Sequence, residues 1–337
     1  MSTTATLRET EIRPDHLMAE QARLFASDVA RLLARKDEFV PVSCPACGGA
    51  DSRPAFRKHD LDYVVCEQCA TMYINPRPTP AVLEMYYSTS ENYAFWNEHI
   101  FPASEAVRRE KIFRPRAQQV AAICERYGVR LGTLLEVGAG FGTFCEELRS
   151  LSLFERLIAV EPTPGLAATC RGRGLEVIEK PIEHVDLAGA DVDVVASFEV
   201  MEHLFAPGDF VEQCARLLKP GGLFIATCPN GQGFDVATLQ TLSNTVDPEH
   251  LNYFNPDSLS ALVRARGFTV LEVRTPGKLD AELVRKRVLA GELDLTGQPF
   301  LQHVLVDAWE KVGAAFQDFL AANQLSSHMW LVARRDG

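Results

Sequence analysis

Hydrophobic positions change their period along this chain, and the changes mark its parts. From His16 to Lys36 the apolar residues Met18, Ala22, Phe25, Val29, Leu32 and Leu33 recur at three- and four-residue steps. That spacing predicts a helix with one buried stripe. Tyr63-Val64-Val65 is a short apolar run and reads as a strand. Residues 72–101 carry Tyr86, Tyr87, Tyr93, Phe95 and Trp96 without a clean period, so they read as loop-like, with Asn75-Pro76-Arg77-Pro78 as a turn, and the aromatics suit a substrate pocket or a lid packed on the main domain equally well. The helical period returns from about Ala103 to Tyr127, where Arg108, Arg109, Arg114 and Arg116 read as a solvated face.

From Gly132 onward, short apolar runs alternate with helical patterns. The runs are Leu134–Glu136, Leu157–Val160, Leu175–Ile178, Asp193–Ser197, Leu223–Thr227, Thr269–Arg274 and His328–Ala333. Helices are predicted over Gly165–Arg173, after Asp209 as a cap, and over Pro256–Arg266, with Leu218-Lys219-Pro220-Gly221-Gly222 as a helix stop and turn. This alternation predicts an α/β fold with a seven-stranded, doubly wound, mostly parallel sheet. Residues 231–247 form a polar excursion after the fifth strand. Thr275 to Ser327 is a mainly helical insertion, with helices at Ala281–Leu289 and about Phe300–Leu320. It suits a substrate cap or a homodimer surface equally well. The organisation is an N-terminal helical segment (1–42), a cysteine-bearing unit (43–79), an aromatic-rich helical lid or linker (80–127) and a ligand-binding domain (128–337) with its insertion at 275–327.

Composition narrows the partners. The 337 residues are 47% hydrophobic and 23% charged, an ordinary globular mixture, and the formal net charge is −11. That charge weighs against broad binding to nucleic acid or anionic membrane. No apolar run approaches the ~20 residues of a spanning helix, and the first fifteen residues, polar and read as frayed, lack the apolar core of a signal peptide. A cytoplasmic setting follows as the expectation, and there nine cysteines imply metal more readily than disulfides. Cys44, Cys47, Cys66 and Cys69 follow the pattern C-x2-C-x18-C-x2-C, the spacing of a four-thiolate structural zinc site. Such a site is closed, with no open coordination position, and would fold a ribbon too small to build its own core.

The stretch LLEVGAGFGTF, Leu134 to Phe144, carries the strongest chemical signal. Gly138, Gly140 and Gly142 alternate at a strand-to-helix turn, where the backbone must approach a ligand without Cβ atoms in the way. The dinucleotide pattern G-x-G-x-x-G would need glycine at Thr143. Glu136, at the end of the strand, would repel a pyrophosphate but suits a ligand bearing an ammonium and a sulfonium. Glu161 ends the next strand 19 residues beyond Gly142, where a carboxylate can accept both ribose hydroxyls of an adenosine. The turn Lys180-Pro181-Ile182-Glu183 should face the adenine edge.

LEVGAGFG, Glu161, FEVMEHL and LKPGG stand in the order and spacing of the class I S-adenosylmethionine (SAM)-dependent methyltransferases, and over about residues 120–275 the chain resembles that family. EVMEHL is similar to the branch of ubiquinone-biosynthesis O-methyltransferases and zinc-binding sugar methyltransferases, and the latter also carry an N-terminal four-cysteine module. The resemblance implies a Rossmann-like fold and SAM as cofactor, with Glu136, Gly138, Ala139, Gly140, Gly142, Phe144, Glu161, Pro162, Pro181, Ile182 and Phe198 around it.

Methyl transfer to a hydroxyl or an acidic C–H requires a proton acceptor beside the reacting atoms. His203, just past the fourth strand, is the first candidate, and His250, Glu199 and Tyr253 are further ones. Glu199, Glu202 and His203 at i, i+3 and i+4 suggest one face of a helical turn. With His250 they could hold a divalent ion, and some small-RNA 3′-end methyltransferases resemble this arrangement and use magnesium. The expected function is methylation of a hydroxyl, or else a carbon, of a polar small molecule such as a nucleotide-linked sugar or a secondary-metabolite intermediate. The alternatives are a metal-dependent RNA ribose 2′-O-methyltransferase and a non-catalytic zinc-ribbon binding module with a degenerate SAM fold.

Overall fold

The computed structural model describes residues 9–187 and 192–337, so part of the expected frayed N-terminus lies outside the described residues. Seven strands build the main sheet. In chain order, β1 (Ser52–Lys58), β2 (Leu61–Cys66) and β3 (Met72–Ile74) belong to the cysteine-bearing unit. The main sheet takes β4 (Thr133–Val137), β5 (Arg156–Val160), β6 (Glu176–Ile178), β7 (Val192–Phe198), β8 (Leu218–Pro229), β10 (Phe268–Arg274) and β11 (His328–Arg335). Its order is β10-β11-β8-β7-β4-β5-β6, parallel from β8 to β6 and antiparallel at β10 and β11. The protein is therefore α/β with a Rossmann-like, mostly parallel sheet. The strand order reverses between β4 and β7, which places the ligand crevice at their carboxyl ends.

The central strands are buried on both sides, which is why they read as continuous apolar runs. All seven residues of β7 are buried. One face packs Leu135, Val195, Phe224 and Leu331 against helices Pro207–Leu217 and Pro256–Arg264. The other packs Leu134, Val194 and Ile225 against Val120 and Ile123 of helix Arg114–Arg126.

A second sheet has the order β1-β2-β3-β9, in which β9 is Asn252–Tyr253. The cysteine unit thus pairs with a segment 180 residues further on, Met72 opposite Tyr253. Lys58 Nζ donates to the carbonyls of Ser243 (2.7 Å) and Val246 (2.6 Å), and Tyr63 donates its hydroxyl to the Asp247 carbonyl at 3.0 Å. Residues 243–253 are fastened to the cysteine unit rather than standing free as a polar excursion.

Several local expectations change. The aromatic stretch is helical, not loop-like: Pro80–Thr89, Glu91–Phe95 and a π-turn at Trp96–Ile100 lead into helix Phe101–Arg108. Its period was hidden because the stretch is cut into short helices that break at Ser90 and at the π-turn. Val82, Leu83 and Tyr86 pack on the cysteine unit, while Tyr87 and Tyr93 meet edge-on at 6.1 Å. The long helix from Ala103 carries a π-turn at Arg109–Phe113, beside Pro115, whose ring nitrogen has no hydrogen to continue the ladder. Asp209 does not cap its helix; Ala206 holds the cap position and Asp209 lies in the first turn. The LKPGG segment is the start of β8, not a separate turn. The insertion packs Val284, Leu295, Leu305 and Leu320 against Leu239 of helix Phe234–Leu239. Among the described residues, no helix is long and apolar enough to cross a membrane.

Candidate active site

At the end of β4 the chain enters three left-handed glycines, Gly138 (φ +77°), Gly140 (+55°) and Gly142 (+71°), which side chains other than hydrogen strain to adopt. A Cβ on Gly138 would meet Val200 at 2.5 Å, whereas Gly140 faces open space. Glu161 accepts hydrogen bonds from the Gly140 N–H and the Thr163 N–H, each at 2.9 Å. The amide that would otherwise cradle a phosphate is held by a carboxylate, so the turn fits a nucleoside ligand without phosphates. Glu136 is buried and accepts the Cys145 thiol at 3.0 Å. Burial pushes its carboxyl up to about 8, against the pull of the Cys145 hydrogen bond and the Arg116 guanidinium.

The remaining residues expected around the cofactor take different positions. Pro162 and Pro181 are exposed, Ala139 and Ile182 are buried, and Phe198 ends β7. Phe144 lies wholly inside the core, 4.7 Å edge-on to Phe198, so its ring shapes the floor rather than touching a ligand. Asn230 is spent on the backbone of Ser326 and Gln232.

Beyond the crevice lies a cluster built from three separate segments. The His203 and His250 rings stand 4.7 Å apart, edge to face. His203 Nδ1 is 3.0 Å from the Glu249 carbonyl and 3.2 Å from the Tyr87 hydroxyl, and His250 Nδ1 is 2.8 Å from the Thr245 carbonyl. A carbonyl only accepts, so Nδ1 is assigned the proton in both rings and both Nε2 atoms keep a lone pair. Glu202 comes to 3.9 Å from His203 Nε2, and its Oε2, in a side chain 1% exposed, has no hydrogen-bond partner among the described residues. Burial, followed by the charge of His250, pushes His203 down to about 3. Burial, followed by Asp247, pushes Glu249 up to about 7, and Tyr86 donates to its Oε1 at 2.8 Å. Tyr93 meets Tyr87 edge-on beside this cluster, and burial, followed by the charges of Glu161 and Glu249, raises its phenol.

Two residues expected here are elsewhere. Glu199 has φ +56°, accepts the Thr227 hydroxyl at 2.5 Å and lies 3.4 Å from His328. Of the four groups considered for a divalent ion, Glu202, His203 and His250 converge within 4.8 Å, and Glu199 is not among them. Tyr253 is fully buried, its hydroxyl accepting the Asp247 N–H at 3.1 Å, and serves the sheet rather than a substrate. Glu249 escaped the sequence reading as a site residue, whereas Tyr87 and Tyr93 belong to the aromatics weighed there as a pocket lining. Glu249 adjoins a histidine already singled out, which was the one available signal.

The cysteines converge as their spacing requires. Cys44 and Cys69 Sγ lie 3.5 Å apart and Cys47 and Cys66 Sγ 3.6 Å, and all four lie within 4.8 Å of one another. Tetrahedral zinc with 2.3 Å bonds needs sulfurs about 3.8 Å apart, and the N–H groups of Ala46 and Cys47 on Cys44, and of Gln68 and Cys69 on Cys66, suit thiolates. The donor set fits structural zinc.

A doubly wound sheet with this glycine turn, and with Glu161 held against it, is the architecture of a class I SAM-dependent methyltransferase domain. Residues 106–273 match the family model described as a methyltransferase domain, and this segment belongs to that family. The chain is 30% identical over 139 residues to a probable S-adenosylmethionine-dependent methyltransferase of Mycolicibacterium smegmatis, covering 41% of this chain and 52% of that protein. It is 41% identical over 101 residues to the ubiquinone biosynthesis O-methyltransferase of Caulobacter vibrioides, covering 28% and 40%. It is 26% identical over 243 residues to the C-methyltransferase NovU of Streptomyces niveus, covering 70% and 53%. The chain spans about half the length of these relatives or less.

Proposed function

We propose that the protein is a SAM-dependent methyltransferase that acts on a polar small molecule at an atom that must lose a proton, a hydroxyl oxygen in the first instance. SAM, when bound, supplies an electrophilic methyl group on a sulfonium. Glu136 faces its ammonium, Glu161 its ribose, and the glycine turn admits it closely. The observation that carries the reading is the pair of imidazoles whose Nδ1 protons are both tied to carbonyls. Their Nε2 lone pairs are thereby offered to one small space. His203 Nε2 accepts the acceptor's proton; Glu202, 3.9 Å away, has its carboxyl pushed well up by burial and then by the charge of Glu199, and Glu249 holds a further basic site close to neutrality. The long match to a C-methyltransferase supports a carbon next to a carbonyl as the second acceptor, because that C–H also needs a base.

The test is transfer of labelled methyl to a panel of hydroxyl acceptors and keto-sugar nucleotides, with His203→Ala alongside. Turnover should fall on the order of 10²–10⁴-fold while affinity for S-adenosylhomocysteine stays within a few-fold. Equal loss of both would make His203 a structural residue and remove the base from this proposal.

A second reading rests on the unpartnered Glu202 Oε2: a divalent ion held by Glu202, His203 and His250. Two nitrogens and one carboxylate suit a transition metal better than magnesium, which takes oxygen ligands. Metal content beyond the zinc of the four cysteines would favour it.

A further inference from the structure

Glu136, the glycine turn and Glu161 stand over β4 and β5, one half of the main sheet. The carboxyl edge of the other half, β7-β8-β11, carries polar side chains that neither the glycine turn nor the two imidazoles use. Glu199 follows β7, Thr227 lies near the end of β8, and His328 opens β11, which runs antiparallel and so begins at this same edge, opposite Pro229. The end of the insertion delivers His328 there. Asp280 accepts the Ser326 hydroxyl at 2.6 Å, and Asn230 donates to the Ser326 carbonyl at 3.0 Å and, through its N–H, to that of Ser327 at 2.8 Å. Glu199 takes a left-handed backbone (φ +56°), uncommon for a residue with a Cβ and typical of constrained functional positions. Its Oε1 accepts the Thr227 hydroxyl at 2.5 Å and lies 3.4 Å from His328 Nδ1.

Glu199 and His328 have one kind of contact left to offer. Burial raises the Glu199 carboxyl, but His328, Arg116 and the Thr227 hydroxyl outweigh it and hold it below its usual range, so it is ionised. Burial pushes His328 down against the pull of Glu199, so its ring is neutral at pH 7. Nδ1 faces a carboxylate and is assigned the proton, which leaves a lone pair on Nε2. Glu199 Oε2 and His328 Nε2 have no hydrogen-bond partner among the described residues, and the two side chains are 43% and 37% exposed. Both free ends accept and neither donates, so a ligand that satisfies them brings two donors side by side. Arg116 offsets the carboxylate's charge through space, which favours two hydroxyls over an ammonium. Glu199 also feels His250 and acts on Glu202, so the pair shares a space with the imidazoles. We propose that Glu199 and His328 are specificity-determining residues of the acceptor site and bind two adjacent hydroxyls of the acceptor, beside the atom that is methylated. This rests on the methyltransferase reading above.

Calorimetry on the full chain saturated with S-adenosylhomocysteine tests it with four probes: catechol, phenol, 2-methoxyphenol and benzylamine. Catechol brings two adjacent O–H donors on one ring, phenol brings one, 2-methoxyphenol has its second capped, and benzylamine brings an ammonium instead. Wild type should bind catechol roughly 10- to 100-fold more tightly than phenol or 2-methoxyphenol, the range of a hydrogen bond to a charged acceptor. Glu199→Met and His328→Phe should each bring catechol to the level of phenol, while affinity for S-adenosylhomocysteine stays within a few-fold of wild type. No catechol preference in wild type, a preference that survives either variant, an equal loss of S-adenosylhomocysteine affinity, or tighter binding of benzylamine than of catechol overturns the assignment. If a variant does not fold by circular dichroism, Glu199→Gln takes its place: an undiminished preference overturns the assignment and a reduced one sustains it. A wild type that does not bind S-adenosylhomocysteine refutes the methyltransferase reading itself, a result distinguishable from the others.

Discussion

Glu136 makes cofactor binding pH-dependent in a calculable way. In the empty site burial holds its carboxyl at about 8, so most molecules carry it protonated at pH 7. An ammonium placed against it favours the ionised form, so binding must release a proton. If the bound carboxylate stays ionised above pH 6, affinity scales with the ionised fraction of the empty site. Between pH 6 and pH 8 that fraction rises roughly 50-fold, and about 0.9 proton leaves per ligand at pH 7. The sign follows from linkage. A carboxyl raised from 4.5 to about 8 in the folded state destabilises the empty protein progressively as pH rises through that window, and ligand binding recovers the loss. Titration calorimetry with S-adenosylhomocysteine in phosphate and in Tris at pH 7 counts the protons from the difference in heat. Glu136→Gln should bind with no comparable release and with a flat profile over pH 6–8. Tight wild-type binding with no proton released and no pH dependence would refute the placement of the ammonium at Glu136.

Three further outcomes can be measured. Purified protein should hold about one zinc per chain, and stripping it should raise hydrogen exchange in residues 243–255 while leaving 134–142 protected, because Asn255 donates to the Cys69 carbonyl and Ile74 to that of Leu251; equal deprotection of both segments would contradict this. Lys58→Met, which leaves the carbonyls of Ser243 and Val246 without their donor, should cost about 1–3 kcal/mol in urea unfolding. Glu249→Gln should match wild type in stability near pH 4 and exceed it at pH 8, since the wild-type carboxyl, raised to about 7, loses stability as pH rises from 4.5 through 7; parallel stability curves across that range would show the carboxyl is not raised.

What could be read from the sequence, and what could not, divides by the range of the forces involved. The parallel strands were legible because burial on both faces leaves unbroken apolar runs such as Leu134-Leu135 and Val194-Val195-Ala196, and a glycine turn or an acid marks where each ends. Gly138, Glu136 and Glu161 were legible for the same reason, since local backbone fixes their spacing. The cluster of Glu202, His203 and His250 was only half legible. The i, i+3, i+4 spacing of Glu199, Glu202 and His203 implies one face only if the helical turn begins at Glu199. The residue instead takes φ +56° and the 3-10 turn starts at Met201, so Glu199 turns to Thr227 while Glu202 and His203 turn to His250. Tyr253 belongs to a strand of two residues that exists only because β3 is there to pair with it, and no periodicity in so short a segment could reveal that. That pairing gives the cysteine unit more than a stabilising part. Asn252, beside Tyr253, donates to the carbonyls of Met201 (3.1 Å) and Leu204 (2.7 Å), Arg77 donates to Phe205 at 3.1 Å, and the Leu251 N–H donates to Glu202 at 2.7 Å. The turn that carries His203 and the loop that carries Glu249 and His250 are therefore held in one frame, and that frame is the sheet the four cysteines close. On the proposed reading the donor's residues stand on the main sheet and the acceptor's on this second one, so stripping metal from the four cysteines should separate acceptor chemistry from cofactor binding.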